Sequence, residues 1–276
     1  MSGAGRGSTL AVQMWDTFFD PSPKERLLNT MPTPDPRAIL IAIEGIDGAG
    51  KTTQVNILRD AFQRVREPLL VSKEPTDGPW GRKIRESAAT GRMPVDQELA
   101  AFIADRTEHV REKIAPALAS GQIVILDRYF YSSIAYQGCR GAEVAEIEAE
   151  MTRRFPVPDA VFVLDLAPEV SLFRIHHWRK DTPNEFEQLE GLAKARRIFQ
   201  QLRGDHIHLI DGSVSPAAVH ASIIDLLVEG PLKSKRCAKA YGCDDQWHCS
   251  YRITGTCEWF RLQQALRAAS GEMATP

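Results

Sequence analysis

The sequence predicts an α/β fold of three layers, in which helices flank a five-stranded parallel sheet on both faces. Short apolar runs, typical of strands that are buried on both faces, alternate with longer stretches of helical periodicity. The first apolar run leads directly into a glycine-rich turn, and charged residues follow several of the later runs. Because sites in such sheets lie beyond the carboxyl ends of the strands, we expect these charged residues to gather there.

The glycine-rich turn follows a strand predicted at 39–43 and reads Gly45-x-x-x-x-Gly50-Lys51-Thr52. An amphipathic stretch comes next, and strand, turn and helix together are the context of a P-loop. In a P-loop, backbone N–H groups bind a phosphate chain, the lysine contacts the β- and γ-phosphates, and the hydroxyl holds Mg²⁺. The sequence therefore predicts nucleoside triphosphate binding by Gly45, Gly48, Ala49, Gly50, Lys51, Thr52 and Thr53.

The remaining elements are predicted from the same two periodicities. Further strands are expected at 69–72, 123–126, 161–164 and 206–210. Helices are expected after the P-loop, at 80–89 and 96–118, up to about 203, and at 216–228. With parallel strands in one sheet, the strand ends bring together the polar residues Asp47, Lys73, Glu74, Asp127 and Arg128.

The bulk composition limits the classes of function. The chain of 276 residues has a formal net charge of −2, so no global basic field favours nucleic acid or an anionic membrane as a partner. No apolar run approaches the ~18 residues that span a bilayer, and the N-terminus lacks the pattern of a secretory signal. We therefore expect a cytoplasmic protein that binds neither nucleic acid nor membrane.

Three segments are predicted: a flexible tail at 1–36 that contains five prolines, a P-loop domain at 37–230, and a small Cys-rich extension at 231–276. The extension carries Cys237, Cys243, Cys249 and Cys257. Four thiolates can form a tetrahedral zinc site that stabilises a small segment. Because the spacings lack paired Cys-x-x-Cys motifs, free buried thiols and a redox or disulfide role stay open beside zinc.

Three motifs identify which P-loop protein this sequence resembles. They read EGIDGAGKTTQ at 44–54, FIADRTEH at 102–109 and DRYFYSSIAYQG at 127–138, and Pro158-Asp159 precedes the strand at 161–164. In this order and spacing, over about 38–228, the sequence is similar to thymidylate kinases, and the run at 127–138 is the most specific part. The resemblance implies transfer of the γ-phosphoryl group of Mg-ATP to dTMP, giving dTDP, by an enzyme that is commonly a homodimer.

The resemblance also implies roles for single residues. It implies that Asp47 binds the 3′-hydroxyl of the deoxyribose and that Tyr136 excludes a 2′-hydroxyl. It implies that Phe102 stacks on thymine while Arg106, four residues later on one helix face, donates to its carbonyl edge. The implied dTMP-binding residues are Asp47, Lys73, Arg85, Phe102, Arg106, Arg128, Ser132, Tyr136 and Gln137. The implied catalytic residues are Lys51, Asp127, Arg128 and Arg179, with Mg²⁺ held through Thr52 and Asp127.

Two departures from the family pattern affect these assignments. The family commonly shows REPGGT where this chain has KEPTDG at 73–78, so the acceptor-phosphate contact becomes Lys73 or passes to Arg82 or Arg85. The interior of the P-loop lacks an arginine, so a cation for the transferred phosphoryl group is expected from the segment at 174–180, which is dense in cations, at Arg179 or Arg174.

Other readings stay open at this stage. A deoxynucleoside kinase also uses a P-loop, and Glu74 could then act as a base on a sugar hydroxyl. The acceptor could instead be dUMP or a modified pyrimidine deoxynucleotide. A third possibility is a nucleotide-gated interaction module with a degenerate kinase site, which the intact Lys51, Thr52, Asp127 and Arg128 disfavour.

Overall fold

The computed structural model describes residues 31–179, 188–236 and 262–268. Five strands form one sheet in the order β2-β3-β1-β4-β5, and every neighbouring pair is parallel. The strands are β1 (Ile39–Gly45), β2 (Leu69–Lys73), β3 (Ile123–Asp127), β4 (Ala160–Asp165) and β5 (Ile207–Asp211). The α/β fold and the five predicted strands are therefore confirmed.

Helices connect the strands and cover the sheet. They are α1 (Lys51–Arg64), α2 (Pro79–Thr90), α3 (Val95–His109), α4 (Ala115–Ala119), α5 (Phe130–Cys139), α6 (Val144–Arg154), α7 (Pro168–Arg174), α8 (Leu189–Gln201), α9 (Pro216–Leu227), α10 (Lys233–Arg236) and α11 (262–268). Every residue of the central strand β1 is buried, because helices pack on both faces of the sheet. None of the described helices is long and apolar enough to cross a membrane.

The amphipathic stretch after the P-loop forms α1, as predicted. Its inner face buries Val55, Leu58 and Phe62 in the core, while Val65 is partly buried just beyond the end of the helix. This packing fixes the start of α1, and hence the P-loop, against the centre of the sheet.

The helix predicted at 96–118 is interrupted. Between α3 and α4 lies a π-helical turn, Val110–Ile114, in which the Ala115 N–H donates to the Val110 carbonyl five residues back. Pro116 follows at once and has no N–H to donate, so the regular helical ladder cannot run through this point. No helix is predicted at the positions of α5, α6 and α7.

The predicted terminal segments are described only in part. Asp35, in the predicted tail, donates its N–H to the Leu118 carbonyl at 3.0 Å. In the predicted extension, Leu262 and Leu266 of α11 are buried in the core. The four cysteines of the zinc prediction lie outside the described residues, and the part of the chain that is described contains no group of three or more potential metal ligands. The segment boundaries at 36 and 230 stay predictions.

The parallel registers place the polar ends of three strands side by side. Ile43 of β1 and Lys73 of β2 both lie opposite Asp127 of β3, and Gly45 of β1 lies opposite Leu164 of β4. The P-loop, the end of β2 and the residues after β3 therefore meet at one edge of the sheet.

Candidate active site

The P-loop closes tightly over the end of β1, and two of its glycines cannot be replaced without a clash. Gly45 has φ of 133° and Gly48 has φ of 77°, both in the left-handed region that favours glycine. A Cβ at Gly45 would lie 2.6 Å from the Leu164 carbonyl oxygen, and one at Gly48 would lie 2.8 Å from the Ser171 carbonyl oxygen. The loop can adopt this shape only because both positions lack a side chain.

Lys51 lies inside this loop and is almost fully buried. Its Nζ donates to the Gly45 carbonyl at 3.0 Å and to the Ile46 carbonyl at 2.7 Å. Burial lowers the pKa of Lys51 to about 8, and the charge of Arg128 acts in the same direction, while nearby carboxylates oppose both. The ammonium group is thus held by neutral acceptors, for which phosphate oxygens are stronger substitutes.

Thr52 and Asp127 form the candidate magnesium site. The Thr52 hydroxyl donates to Asp127 Oδ2 at 2.5 Å, so a hydroxyl from the start of α1 and a carboxylate from the end of β3 are adjacent. Oxygen ligands of this kind, few in number and beside a phosphate loop, are what Mg²⁺ uses when it bridges nucleotide phosphates. The residues present therefore fit a magnesium ion.

Arg128 links the P-loop to the segment after β3. Its guanidinium pairs with the Asp47 carboxylate, donates to Ser132 Oγ at 3.2 Å, and lies 5.4 Å from the centre of the Tyr136 ring. The Tyr136 hydroxyl donates to Asp47 Oδ2 at 3.0 Å. Asp47, Arg128 and Tyr136 thus form one cluster next to the phosphate loop.

A second group of cations flanks the loop after β2: Lys73 ends β2, and Arg82 and Arg85 lie on α2. Lys73 Nζ and Arg85 Nη2 both approach Asp77 Oδ1, at 3.4 Å and 3.1 Å. Arg82 donates to the Asp77 carbonyl at 2.7 Å. The three candidate phosphate cations therefore surround one exposed acidic residue.

Arg106 lies behind that loop with a side-chain exposure of 1%. Its Nε donates to Glu74 Oε2 at 2.7 Å and its Nη2 donates to Ser133 Oγ at 3.2 Å. His109 Nδ1 lies 3.0 Å from the other Glu74 oxygen. The Arg106 guanidinium also packs over the Tyr129 ring, 5.4 Å from its centre. This cluster is a buried ion pair in which both carboxylate oxygens have partners.

A cavity of about 660 Å³ joins these parts. Its walls include the P-loop, Asp127, Arg128, Lys73 and Arg85 on one side, and Arg174, Val214, Pro216 and Val219 on the other. Arg174 donates to the Gly212 carbonyl at 3.2 Å, so it belongs to the second wall. A nucleotide whose phosphates occupy the P-loop has room on both sides of it.

The comparison with known proteins identifies this arrangement. A family model described as thymidylate kinase matches residues 43–223. The chain belongs to the thymidylate kinase family. The thymidylate kinase of Xanthomonas oryzae pv. oryzae (strain PXO99A) is 47% identical over 198 residues, which cover 70% of this chain and 86% of that protein. The thymidylate kinase of Xylella fastidiosa (strain M12) is 42% identical over 194 residues, covering 70% of this chain and 88% of that protein.

A solved structure agrees with this family assignment. The crystal structure of thymidylate kinase from Ehrlichia chaffeensis matches with a TM-score of 0.55 at 26% identity, covering 69% of this chain and 98% of that chain. The helix at 262–268 of this thymidylate kinase family member lies beyond the family match, which ends at residue 223.

The predicted site residues fall into two groups. Those beside the phosphates contact one another: Lys51 lies within its loop, Thr52 contacts Asp127, and Asp47 contacts Arg128 and Tyr136. The two predicted to contact the base lie deeper and do not line the described cavity: Phe102 is half-buried and Arg106 is buried. Ser132 and Gln137, predicted to bind dTMP, are also buried, and Ser132 contacts Arg128. The side chain of Arg179 lies outside the described residues.

Gln137 has one feature that bears on binding. Its Nε2 donates to Glu98 Oε2 at 3.1 Å, whereas its buried Oε1 has no hydrogen-bond partner among the described residues. A buried amide oxygen without a donor is costly, and a ligand that carries an N–H group would supply one.

Sequence reasoning gave no role to Glu44, which is fully buried at the end of β1. Burial raises the pKa of its carboxyl to about 7, although hydrogen bonds from Ser132 and from the Tyr129 N–H and the charge of Arg128 favour the ionised form. The sequence contains a signal for this: Glu44 is a carboxylate in an otherwise apolar strand, which indicates that polar groups surround it in the folded protein.

Proposed function

We propose that this protein transfers the γ-phosphoryl group of ATP to dTMP and so forms dTDP. The observation that carries the proposal is the contact of Arg128 with Asp47, next to Lys51 and to the Thr52–Asp127 pair. This arrangement puts an arginine for an acceptor phosphate beside a loop for a donor triphosphate. The family membership supports both substrates.

On the donor side, Lys51 exchanges its two carbonyl acceptors for β- and γ-phosphate oxygens. Thr52 and Asp127 would hold Mg²⁺, which would neutralise phosphate charge. Arg174 lines the same cavity as the P-loop, and Arg179 remains our proposal for the cation that reaches the transferred group.

On the acceptor side, the dTMP phosphate is already ionised near neutral pH, since the second pKa of a phosphomonoester is about 6. The reaction therefore requires no general base, and the residues act by positioning and by neutralising charge. Arg128 presents a planar fork that suits a phosphate. When it turns to the phosphate, Asp47 is left to accept a hydrogen bond from the 3′-hydroxyl, and the Tyr136 ring lies against the sugar.

For the base, we propose that Phe102 stacks on the pyrimidine and that Gln137 and Arg106 bind its polar edge. Thymine carries an N–H donor at N3 between two carbonyl acceptors. The unpartnered Gln137 Oε1 suits the donor, and the Arg106 guanidinium suits a carbonyl.

The rival reading, a deoxynucleoside kinase, depends on Glu74 as a base. Both oxygens of Glu74 already have partners, Arg106 on one side and His109 on the other. With both oxygens held in this way, Glu74 offers no free oxygen to the proton of a sugar hydroxyl. We therefore favour the nucleotide kinase.

Three further proposals concern the surroundings of the enzyme. The family resemblance supports a homodimer, which the mass in solution from light scattering would test. The nucleotide substrates support a cytoplasmic location, which fractionation would test. The sequence of the extension supports zinc bound by Cys237, Cys243, Cys249 and Cys257; protein without zinc by elemental analysis would refute it.

The proposed reaction is tested with a panel of monophosphates and Mg-ATP, by following nucleoside diphosphate formation chromatographically. The panel contains dTMP, dUMP, a 5-hydroxymethyl analogue of dUMP, dCMP and UMP. We expect dTMP to give the highest kcat/KM. Turnover of dCMP or of the hydroxymethyl analogue above that of dTMP would contradict the assigned acceptor, and ATP hydrolysis without transfer to any acceptor would contradict the reaction.

A further inference from the structure

Glu44 is a buried carboxylate that the proposed mechanism does not use. It lies near the end of β1, one residue before the P-loop glycine Gly45, and its exposure is 0%. The strand residues before it are all apolar. A carboxylate in such a place is costly unless polar groups surround it, so its partners indicate why it is there.

Within the described residues, every hydrogen bond of the Glu44 carboxylate goes to the segment that follows β3. Oε1 accepts from the Tyr129 N–H at 2.7 Å and lies 3.3 Å from the Ser132 N–H, and Oε2 accepts from the Ser132 hydroxyl at 2.6 Å. Tyr129 is the N-cap residue of α5, and no side chain of that segment caps the helix itself. Glu44 thus caps α5 from another strand, where the positive end of the helix favours a negative charge.

The same contact reaches Arg128 through one hydroxyl group. Ser132 has a single hydroxyl proton, and it is directed to Glu44, so its oxygen presents a lone pair to the Arg128 Nη1 at 3.2 Å. The backbone of Arg128 is held as well: its N–H donates to the Ile43 carbonyl at 3.0 Å, and its φ is 69°. A non-glycine residue keeps such a φ only where its surroundings impose it.

We propose that Glu44 is a positioning residue for Arg128: by capping α5 and orienting the Ser132 hydroxyl, it sets the place of the guanidinium that meets the acceptor phosphate. The inference rests on the proposed function, because it assumes that Arg128 binds the phosphate of dTMP. Glu44 itself touches neither substrate, and its effect passes through Ser132 and the start of α5.

The test is a pair of variants measured separately against both substrates. In Glu44→Gln the shape is kept, but an NH₂ group faces Ser132 Oγ and the orientation of its hydroxyl is lost. We expect kcat/KM for dTMP to fall by about 10- to 100-fold, since small displacements of a positioning group cost about this much. The KM for ATP should stay within about twofold, because the P-loop contacts of Lys51 are unchanged.

Ser132→Ala removes the same link without altering β1, and it serves if the Gln variant does not fold. It should lower kcat/KM for dTMP in the same substrate-selective way. The double variant should be no worse than the more impaired single one, since residues that act through one path are not additive. Additive losses would contradict the proposed path.

A matched control lies at the other end of the sheet. Asp159 also accepts a backbone N–H of β1, that of Leu40 at 2.9 Å, and it contacts Lys235, far from the strand ends that carry the site. Asp159→Asn should lower the Tm without changing kcat/KM for dTMP. If Glu44→Gln behaves like this control, with a lower Tm but an unchanged kcat/KM for dTMP, Glu44 is only a helix cap and the inference is wrong. Failure of the wild-type protein to phosphorylate dTMP would instead refute the proposed function.

Discussion

The phosphate side and the base side of the site hold their cations in opposite ways. Lys51, on the phosphate side, contacts two neutral backbone carbonyls. Arg106, on the base side, contacts the carboxylate of Glu74 and is equally buried. A charged ligand oxygen is a better acceptor than a carbonyl, so phosphate can take over the contacts of Lys51, whereas it has no advantage over a buried carboxylate.

This difference indicates which residues change hydrogen-bond partners when substrate binds. Lys51 can exchange its carbonyl acceptors for phosphate oxygens. Arg128 lies between Lys51 and Arg106 in this respect, because its partner Asp47 is a carboxylate but is itself a proposed ligand of the sugar. Arg106 keeps Glu74 and offers a ligand its remaining donor, Nη1, whose only contact that the structure gives is the weak acceptor Met151 S at 3.3 Å. On the base side the ion pair is thus already formed and stays in place, whereas on the phosphate side the cation changes its acceptors when substrate binds.

The largest effect is expected on the phosphate side. Lys51→Ala should lower kcat by about 10²–10³, the cost of one lost charge-stabilising contact in such a site. The fold should persist, because the lysine contacts only loop carbonyls. Steady-state kinetics together with far-UV circular dichroism measure both. Turnover near the wild-type rate in folded protein would contradict the P-loop assignment.

Substitutions in the buried ion pair on the base side should lower the stability of the protein rather than its reaction rate. Glu74→Gln leaves Arg106 buried without a full charge partner, and we expect the free energy of unfolding to fall by on the order of 3 kcal/mol. The exposed pair of Arg85 with Asp77 is the control, since Asp77→Asn should change it by less than about 1 kcal/mol. Urea denaturation measures both variants. Equal effects would show that the buried and exposed pairs do not differ as described.

A buried histidine without a hydrogen-bond partner among the described residues extends the comparison. His220 on α9 is fully buried, neither ring nitrogen has a hydrogen-bond partner among the described residues, and burial lowers its pKa to about 4. In the unfolded chain the pKa is near 6.5, so the unfolded state binds more protons between these values. Stability should therefore fall, by about 3 kcal/mol, as the pH drops from about 6.5 to about 4. His220→Leu should remove this part of the pH dependence; an unchanged pH profile would show that another group causes it.

A smaller effect is expected on sugar selectivity. Tyr136→Ala should raise the ratio of kcat/KM for UMP-type ribonucleotides to that for deoxyribonucleotides by about tenfold, the scale of one steric contact. Tyr136→Phe is the matched control: it loses the hydroxyl contact with Asp47 but keeps the ring. The preference for deoxyribonucleotides should be kept in Tyr136→Phe and weakened in Tyr136→Ala. If both variants lose it equally, the hydroxyl and not the bulk of the ring sets the preference.

The two sides also differ in how far sequence could predict them. The P-loop is contiguous, so Gly45 to Thr52 reveal their roles through spacing alone, and the strand before them is fixed by its apolar run. The base side depends on contacts between distant residues, such as Glu74 with Arg106, which lie 32 positions apart. Periodicity cannot show that a carboxylate and a guanidinium 32 positions apart neutralise each other.

Two further features escaped prediction for local reasons. The π turn Val110–Ile114 breaks a helix whose apolar period runs on regardless, and only the missing N–H of Pro116 signals it. In the sequence, Asp77 is only part of a departure from the family pattern. Its contacts with Lys73 and Arg85 depend on the conformation of the loop after β2, so they could not be predicted from the sequence.

The central claim is that a phosphate, and not a sugar hydroxyl, receives the phosphoryl group. The most direct measurement compares dTMP and thymidine as acceptors with Mg-ATP, in the wild-type protein and in Glu74→Gln. We predict that dTMP is converted to dTDP, that thymidine is not phosphorylated, and that folded Glu74→Gln keeps turnover with dTMP because no base is needed. Thymidine turnover without dTMP turnover, together with a loss of about 10²–10⁴ in Glu74→Gln, would contradict the account and make Glu74 a general base.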